Sequence, residues 1–309
     1  MESGEPTEAG GAKSVWWKWS APSSGVWRAD TAGSSFDTLL DILTGADLLS
    51  LNSIASDDND GGGVTSAVCF SASAGTVYHF RVRGRDGAGG AIQLHLTPSA
   101  PPPNDAFAAA SSLGSATSLV VSANNCGATT EAGEPAQGGP ASASLWFSWT
   151  APSTGDFSAD TFGSAIDTLL AIYSGNTLGS LALIAANNDS APGAPQSRLT
   201  FRATAGVTYR ISVGGVTTDD RGAVRLNITH QPVIVLHTLT PDAPPADTRR
   251  LLLRWRSEPW VTYRIEQSAD LDAWTTVKTR VASAGTLTES LVTGLPDTAE
   301  RLYFRVARE

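Results

Sequence analysis

Apolar and polar residues alternate with a period of two along much of this chain. Val15, Trp17 and Trp19 share one face of their stretch, and Leu145, Phe147 and Trp149 share one face of theirs. Tyr78, Phe80 and Val82 repeat the pattern, as do Ile92, Leu94 and Leu96. Arg81, Arg83, Gln93 and His95 take the alternate positions, which the pattern assigns to solvent. Successive side chains of a strand point to opposite faces, so one apolar face per strand predicts antiparallel sheets stacked on each other. Glycine-rich turns such as Asp86-Gly87-Ala88-Gly89-Gly90 punctuate the strands. Further on, Leu251, Leu253 and Trp255 alternate, followed by Tyr263-Arg264-Ile265-Glu266 and Leu302-Tyr303-Phe304-Arg305-Val306.

An internal repeat sets the architecture. SVWWKWSAPSSGVWRADTAGSSFDTLLDILTG (14–45) reappears as SLWFSWTAPSTGDFSADTFGSAIDTLLAIYSG (144–175), with Trp19, Pro22, Gly25, Asp30, Gly33, Asp37 and Thr38 recurring 130 positions later. FSASAGTVYHFRVRG (70–84) matches FRATAGVTYRISVGG (201–215), and AIQLHLT (91–97) matches AVRLNIT (223–229). Upstream of Gly133-Glu134-Pro135 the second copy has residues 104–132, whereas the first reaches its matching Gly4-Glu5-Pro6 almost at once. The opening strand of the first copy is therefore expected to be missing from this stretch, together with any leader peptide. The run Pro98-Ser99-Ala100-Pro101-Pro102-Pro103 suits a stiff spacer between the copies. The expectation is an all-β chain of three β-sandwich modules in tandem. They are 1–97 (truncated at its start), a linker at 98–103, 104–229, and a different module at 230–309.

Composition sharpens this picture. Hydrophobic residues make up 41%, enough for several small cores, while charged residues are only 17% beside 30 Gly and 17 Pro. The net charge of −9 lies wholly in the first two modules, since residues 230–309 carry ten acidic and ten basic side chains. An acidic surface repels phosphate backbones, which argues against nucleic acid as a partner. No run of about 18 apolar residues occurs, so no helical membrane span is expected. Cys69 and Cys126 would have to bridge two modules to pair, and the simpler expectation is two unpaired thiols.

The run from Trp17 through Asp37-Thr38-Leu39-Leu40 to an acidic loop, then Ala74-Gly75-Thr76-Val77-Tyr78, resembles the bacterial pre-peptidase C-terminal domain family. The C-terminal TYRIEQSADLDAWTTV with RLYFRVARE is similar to fibronectin type III modules of large bacterial surface proteins. The first resemblance implies jelly-roll-like sandwiches appended to secreted enzymes and surface proteins, several relatives of which bind calcium. Both imply export and attachment, at the cell surface or beyond it, and neither implies catalysis.

The acidic loop Asp57-Asp58-Asn59-Asp60-Gly61 is the strongest site signal, because calcium takes six to eight oxygen ligands and alternating carboxylates on a glycine-relieved loop supply several. Asp37, beside its own turn, is a further candidate ligand. In the second copy the candidates are Asn187, Asp189 and Asp167, with less charge. Asp30, Asp37, Asp160 and Asp167 equally suit turn-capping roles. Trp16 and Trp146 fall opposite the core face and are candidates to stack on a sugar or a partner side chain, or to be covered by a loop of their own domain. Trp260 and Trp274 are expected to pack within the third module. Glu5 and Glu134 sit in matching Gly-Glu-Pro turns, as Glu2 matches Glu131, which suits structural turns better than an active site built twice. No nucleophile elbow, zinc-protease motif or phosphate-cradling loop occurs. The sequence therefore reads as a non-catalytic, exported binding or spacer segment taking a protein or polysaccharide surface ligand. The alternatives are a carbohydrate-binding accessory region of a degradative enzyme and a purely structural stalk.

Overall fold

A computed structural model of the chain describes residues 13–137, 142–231, 234–241, 248–257, 260–270, 273–285, 287–296 and 302–309. Those residues form strands joined by turns, with three short 3-10 turns and no α-helix among them. The all-β expectation holds, with multiple antiparallel sheets in a β-sandwich arrangement.

In the first repeat, β1 (Ser14–Ser20), β2 (Gly25–Asp30), β3 (Thr38–Thr44), β4 (Asn52–Asp57), β5 (Ala67–Ala72), β6 (Val77–Gly84) and β7 (His95–Pro98) make two sheets. Their orders are β1-β6-β3-β4 and β5-β2-β7. In the second, β8 (Ser111–Ser112), β9 (Ser118–Asn124), β10 (Ser142–Thr150), β11 (Gly155–Asp160), β12 (Thr168–Ser174), β13 (Ala182–Asn187), β14 (Arg198–Ala203), β15 (Thr208–Gly215) and β16 (Ala223–His230) form sheets β13-β12-β15-β10-β8 and β14-β11-β16-β9. With β8 and β9 set aside, the two orders match strand for strand, β10 standing for β1 and β16 for β7. The registers match as well. Trp19 lies opposite Tyr78 as Trp149 lies opposite Tyr209, and both copies shift register one residue after the isoleucine of the third strand, Ile42 or Ile172. One fold is used twice.

The remaining strands are β17 (Ile234–Pro241), β18 (Thr248–Arg256), β19 (Thr262–Ser268), β20 (Thr275–Ala282), β21 (Leu287–Pro296) and β22 (Tyr303–Arg308), in sheets β17-β18-β21 and β20-β19-β22. Leu251, Leu253, Trp255, Val292 and Leu295 from one sheet pack with Tyr263, Ile265 and Val306 from the other. By its contacts the chain divides into two compact units. Met1–Pro152, Ala159–Thr200 and Ala205–Ile228 form one, and Ser153–Ser158, Phe201–Thr204 and Thr229–Glu309 form the other.

In the first repeat, Leu40, Ile42, Tyr78, Phe80 and Val82 of one sheet pack against Trp27, Ala29, Val68, Phe70 and Ala72 of the other. This interleaving of two inner faces is what the alternation predicted. The copies differ in how completely the core is closed. Leu145, Phe147 and Trp149 are buried, but their counterparts Val15, Trp17 and Trp19 are only partly so, with Val15 45% exposed. Val224, Leu226 and Ile228 are buried, but Ile92, Leu94 and Leu96 only pack against the core edge. Trp19, expected to be buried like Trp149, is thus half-covered. In the second repeat β8 lies beside β10 and β9 beside β16, whereas β1 and β7 are sheet edges among the described residues.

Two further expectations are corrected. The cysteines are not free thiols: Cys69 in β5 is bonded to Cys126, just past β9. The chain reaches across because Pro98 still pairs with Trp27 in β7, and Gly127, at φ +77°, lies so close to Ala100 that a Cβ there would sit 2.3 Å from its carbonyl oxygen. The first repeat is therefore bonded covalently to the second through β5 as well as joined to it by the proline-bearing connection. Trp260, expected to pack, is 100% exposed with φ 66°, while Trp274 lies under the Arg305 guanidinium, 4.2 Å from its ring centre.

Candidate metal and ligand sites

The same buried corner is built in both repeats by three hydroxyls. Thr31 Oγ1 and Thr38 Oγ1 are 2.6 Å apart, Thr38 Oγ1 and Ser66 Oγ 3.2 Å, and the Ser66 N–H donates to Thr31 Oγ1 at 2.9 Å. Thr161, Thr168 and Ser197 reproduce this at 2.6, 3.2 and 2.8 Å. Buried hydroxyls need partners, and here they satisfy one another while tying the starts of β3 and β5, or β12 and β14, together. Thr31 and Thr38 recur in the sequence, but their role as a latch depends on Ser66, which arrives just ahead of β5.

The latch places the acidic loop beside Asp37 or Asp167. Asp57 Oδ2 accepts the N–H groups of Asp60 and Ala67, each at 2.8 Å, and Asn187 Oδ1 accepts that of Arg198 at 2.9 Å. Both side chains, expected as ligands, hold loop backbone through these oxygens. The carbonyls of Asp58 and Asn188 accept from Ser66 Oγ and Ser197 Oγ at 3.0 and 2.8 Å. After this, two oxygens at each corner are shielded from solvent without a hydrogen-bond partner: Oδ1 of Asp37 and of Asp58, and Oδ1 of Asp167 and of Asn188. Asp60 is exposed over most of its surface, and partial desolvation of its carboxyl together with the nearby Asp57 charge raises its pKa.

The two corners differ in charge. In the first, Asp58 is ion-paired with Arg85. In the second, Val216 occupies the Arg85 position, and its N–H repeats the bond of the Arg85 N–H to the preceding aspartate carbonyl, at 3.3 Å against 2.9 Å. Burial there raises the Asp167 pKa, and the charges of Asp220 and Asp189 raise it further, against a bond from the Thr168 backbone. Among the described residues no three His, Cys, Asp or Glu side chains converge closely enough, as they stand, to hold a metal ion. Asp30 and Asp160 cap their turns through the N–H groups of Ala32 and Phe162, at 3.1 and 3.2 Å.

Trp146 is fully buried and is not a platform for a ligand. Phe107 meets it edge-on at 5.1 Å, Tyr173 lies 5.9 Å away, and its indole N–H donates to Glu134 Oε1 at 3.1 Å. Glu134 also accepts from the Glu131 N–H and from Ser144 Oγ, so its turn is structural. Burial, with the Glu134 charge, pushes the Tyr173 hydroxyl up to about 12. Trp16, half-buried, has the Arg81 guanidinium 5.6 Å from its ring centre. Glu2 and Glu5 lie outside the described residues.

Arg81 and Arg83, assigned to solvent by alternation, are buried, and both donate to the buried Asp41. Arg81 Nε and Arg83 Nε reach Asp41 Oδ2 at 2.9 and 3.1 Å, and Arg83 Nη2 reaches Oδ1 at 3.2 Å. Ala171, Ser212 and Gly214 hold these positions in the second repeat. No protein-family model matches the chain, and no curated protein matches it in sequence.

Proposed function

We propose that this chain is a non-catalytic, exported binding and spacer segment whose repeated sandwiches present cation-supported corners. The observation that carries the reading is the recurrence, in both repeats, of a latched corner with two buried oxygens left without partners. A buried acceptor without a donor is costly, and a cation relieves it. The second repeat is the better calcium candidate. The charges of Asp189 and Asp220 both act on Asp167 there, and no arginine stands where Arg85 neutralises Asp58. Asn188 Oδ1 supplies a neutral ligand beside them. The Cys69–Cys126 bond supports export, since disulfides persist in oxidising compartments. The ligand expected is a protein or polysaccharide surface.

The test is thermal unfolding of the whole chain in chelator and in calcium. Extracellular sites bind at roughly 0.1–1 mM, so about 5 mM calcium should stabilise by about 1–2 kcal/mol, raising the midpoint of the second repeat by several degrees. Asp167→Asn should abolish the gain, and Asp58→Asn should leave most of it. Coincident curves in chelator and calcium, with magnesium and monovalent salt as controls, would refute the cation reading.

A further inference from the structure

The loop that brings Asp220 to the second corner is held from behind by one buried amide. Asp220 folds back on Gly215, where a Cβ would lie 2.4 Å from the Asp220 carbonyl oxygen, and Gly215 pairs with Thr168, the residue after Asp167. Thr217 fixes the Asp220 carboxylate, its N–H and hydroxyl donating to Oδ2 at 2.7 and 2.6 Å. Asn125, wholly buried, then grips the loop backbone. Its Nδ2 donates to the Asp220 carbonyl at 2.9 Å, its Oδ1 accepts the Gly222 N–H at 2.7 Å, and its own N–H donates to the Gly222 carbonyl at 3.1 Å. Arg221 adds a bond from Nη1 to the Ala128 carbonyl at 2.9 Å.

Cys126 stands between these ties. It follows β9 in a turn outside the strands, closed by the Ala128 N–H on the Asn125 carbonyl at 2.9 Å. That turn is fixed to the first repeat by the bond to Cys69, a buried residue of β5. Ser99 Oγ, 3.1 Å from Cys126 Sγ, and Ala100, against Gly127, complete the contact. The residue that positions Asp220 and the residue bonded across the repeats are therefore neighbours in the chain.

We propose that the Cys69–Cys126 bond regulates the cation corner of the second repeat, with Asn125 as the positioning residue that carries the restraint to Asp220. The inference rests on the cation reading of that corner and adds its control. The switch is the covalent bond itself. A dithiol reductant opens it by two exchanges: one thiolate attacks a cysteine sulfur and expels the other cysteine as a thiolate, then the second thiol displaces the protein from the mixed disulfide. The reductant leaves as a cyclic disulfide, and its two protons pass to Cys69 and Cys126. The freed turn no longer anchors Asn125, so Asp220 samples positions away from Asp167 and the ion loses part of its charge complement. Coupling between two equilibria is reciprocal. A bound cation, by holding Asp220, holds Cys126 where it meets Cys69 and opposes reduction by the same factor.

The test uses the whole chain, with calcium as the probe. Calcium affinity, read by titration calorimetry, should fall at least about fivefold in a Cys69→Ser/Cys126→Ser variant, the low end for coupled sites. In a buffer of reduced and oxidised dithiol, calcium in place of chelator should shift the wild-type disulfide equilibrium toward the bond by the same factor. Amide exchange in the oxidised chain should slow on calcium addition across 125–128 as well as 217–222. Asn125→Ala should make the affinity independent of the bond, and an affinity that still depended on it would overturn the route through Asn125. No calcium binding to the oxidised chain would overturn both this proposal and the cation reading. Binding of equal affinity with and without the bond would overturn this proposal and leave that reading standing. Protection at 217–222 without any at 125–128, or a calcium shift of the disulfide equilibrium below about twofold, would overturn it even where the variant failed to fold.

Discussion

Replacing Asp41 by alanine tests how the first repeat holds a buried charge cluster on the outer face of a sheet. Asp41, Arg81 and Arg83 are 3%, 1% and 4% exposed, and the carboxylate accepts bonds from both guanidinium groups. A hydrogen bond to a charged group contributes about 1.5–3 kcal/mol, and removing one partner of a buried ion pair costs about 3–5 kcal/mol, because the other charge stays buried. Asp41→Ala should therefore destabilise the first repeat by about 3–5 kcal/mol, a large share of the roughly 5–15 kcal/mol that holds a typical domain. Asp41→Asn keeps the size and one acceptor and should cost less. Hydrogen exchange is the assay, since it separates the repeats within one chain: amides of β3 and β6 should exchange about a hundredfold faster or more, and those of β12 and β15 should not change. The fold itself should survive, because the second repeat builds the same registers with Ala171, Ser212 and Gly214. A change below about 1 kcal/mol at β3 and β6 would refute the argument that this carboxylate holds two buried guanidinium groups.

The Cys69–Cys126 bond spans a sequence separation of 57, for which loop closure predicts up to about 4 kcal/mol of stabilisation. Urea unfolding should shift to lower concentration with reductant and in a Cys69→Ser/Cys126→Ser variant, and reductant should then have no further effect on that variant. In the C-terminal unit, burial raises the Glu266 pKa, but hydrogen bonds and charge from Arg264 and Arg305 outweigh it and hold the group below its ordinary value. Its stabilisation is therefore present above the unfolded carboxylate pKa and is lost as pH falls through the lowered folded one. Glu266→Gln should flatten that part of the acid-unfolding profile of the C-terminal unit, and unchanged pH dependence would argue against it.

The sequence by itself determined the strands, their inner faces and the duplication, because period-two alternation is local and two copies of one pattern check each other. Leu145, Phe147 and Trp149 are core for the reason their spacing predicts. It also singled out Asp37, Asp167 and the acidic loops, since they recur at matching positions, but did not place the loops near those aspartates. What lies on the outer faces was decided only by tertiary structure, because alternation says which side a residue faces and not what covers that side. Arg81 and Arg83 face outward from the core yet are buried on Asp41, and Trp146 faces outward yet lies beneath Phe107. The cysteine bond follows from Gly127 admitting Ala100, a long-range approach with no period. The exposure of Val15 against the burial of Leu145 was likewise beyond local pattern, because it depends on whether a distant segment adds a strand to the sheet edge. The balance at the corners turned on one residue just past the end of β6 or β15, Arg85 or Val216, which pairs with Asp58 in the first repeat and leaves Asp167 under the charges of other carboxylates in the second.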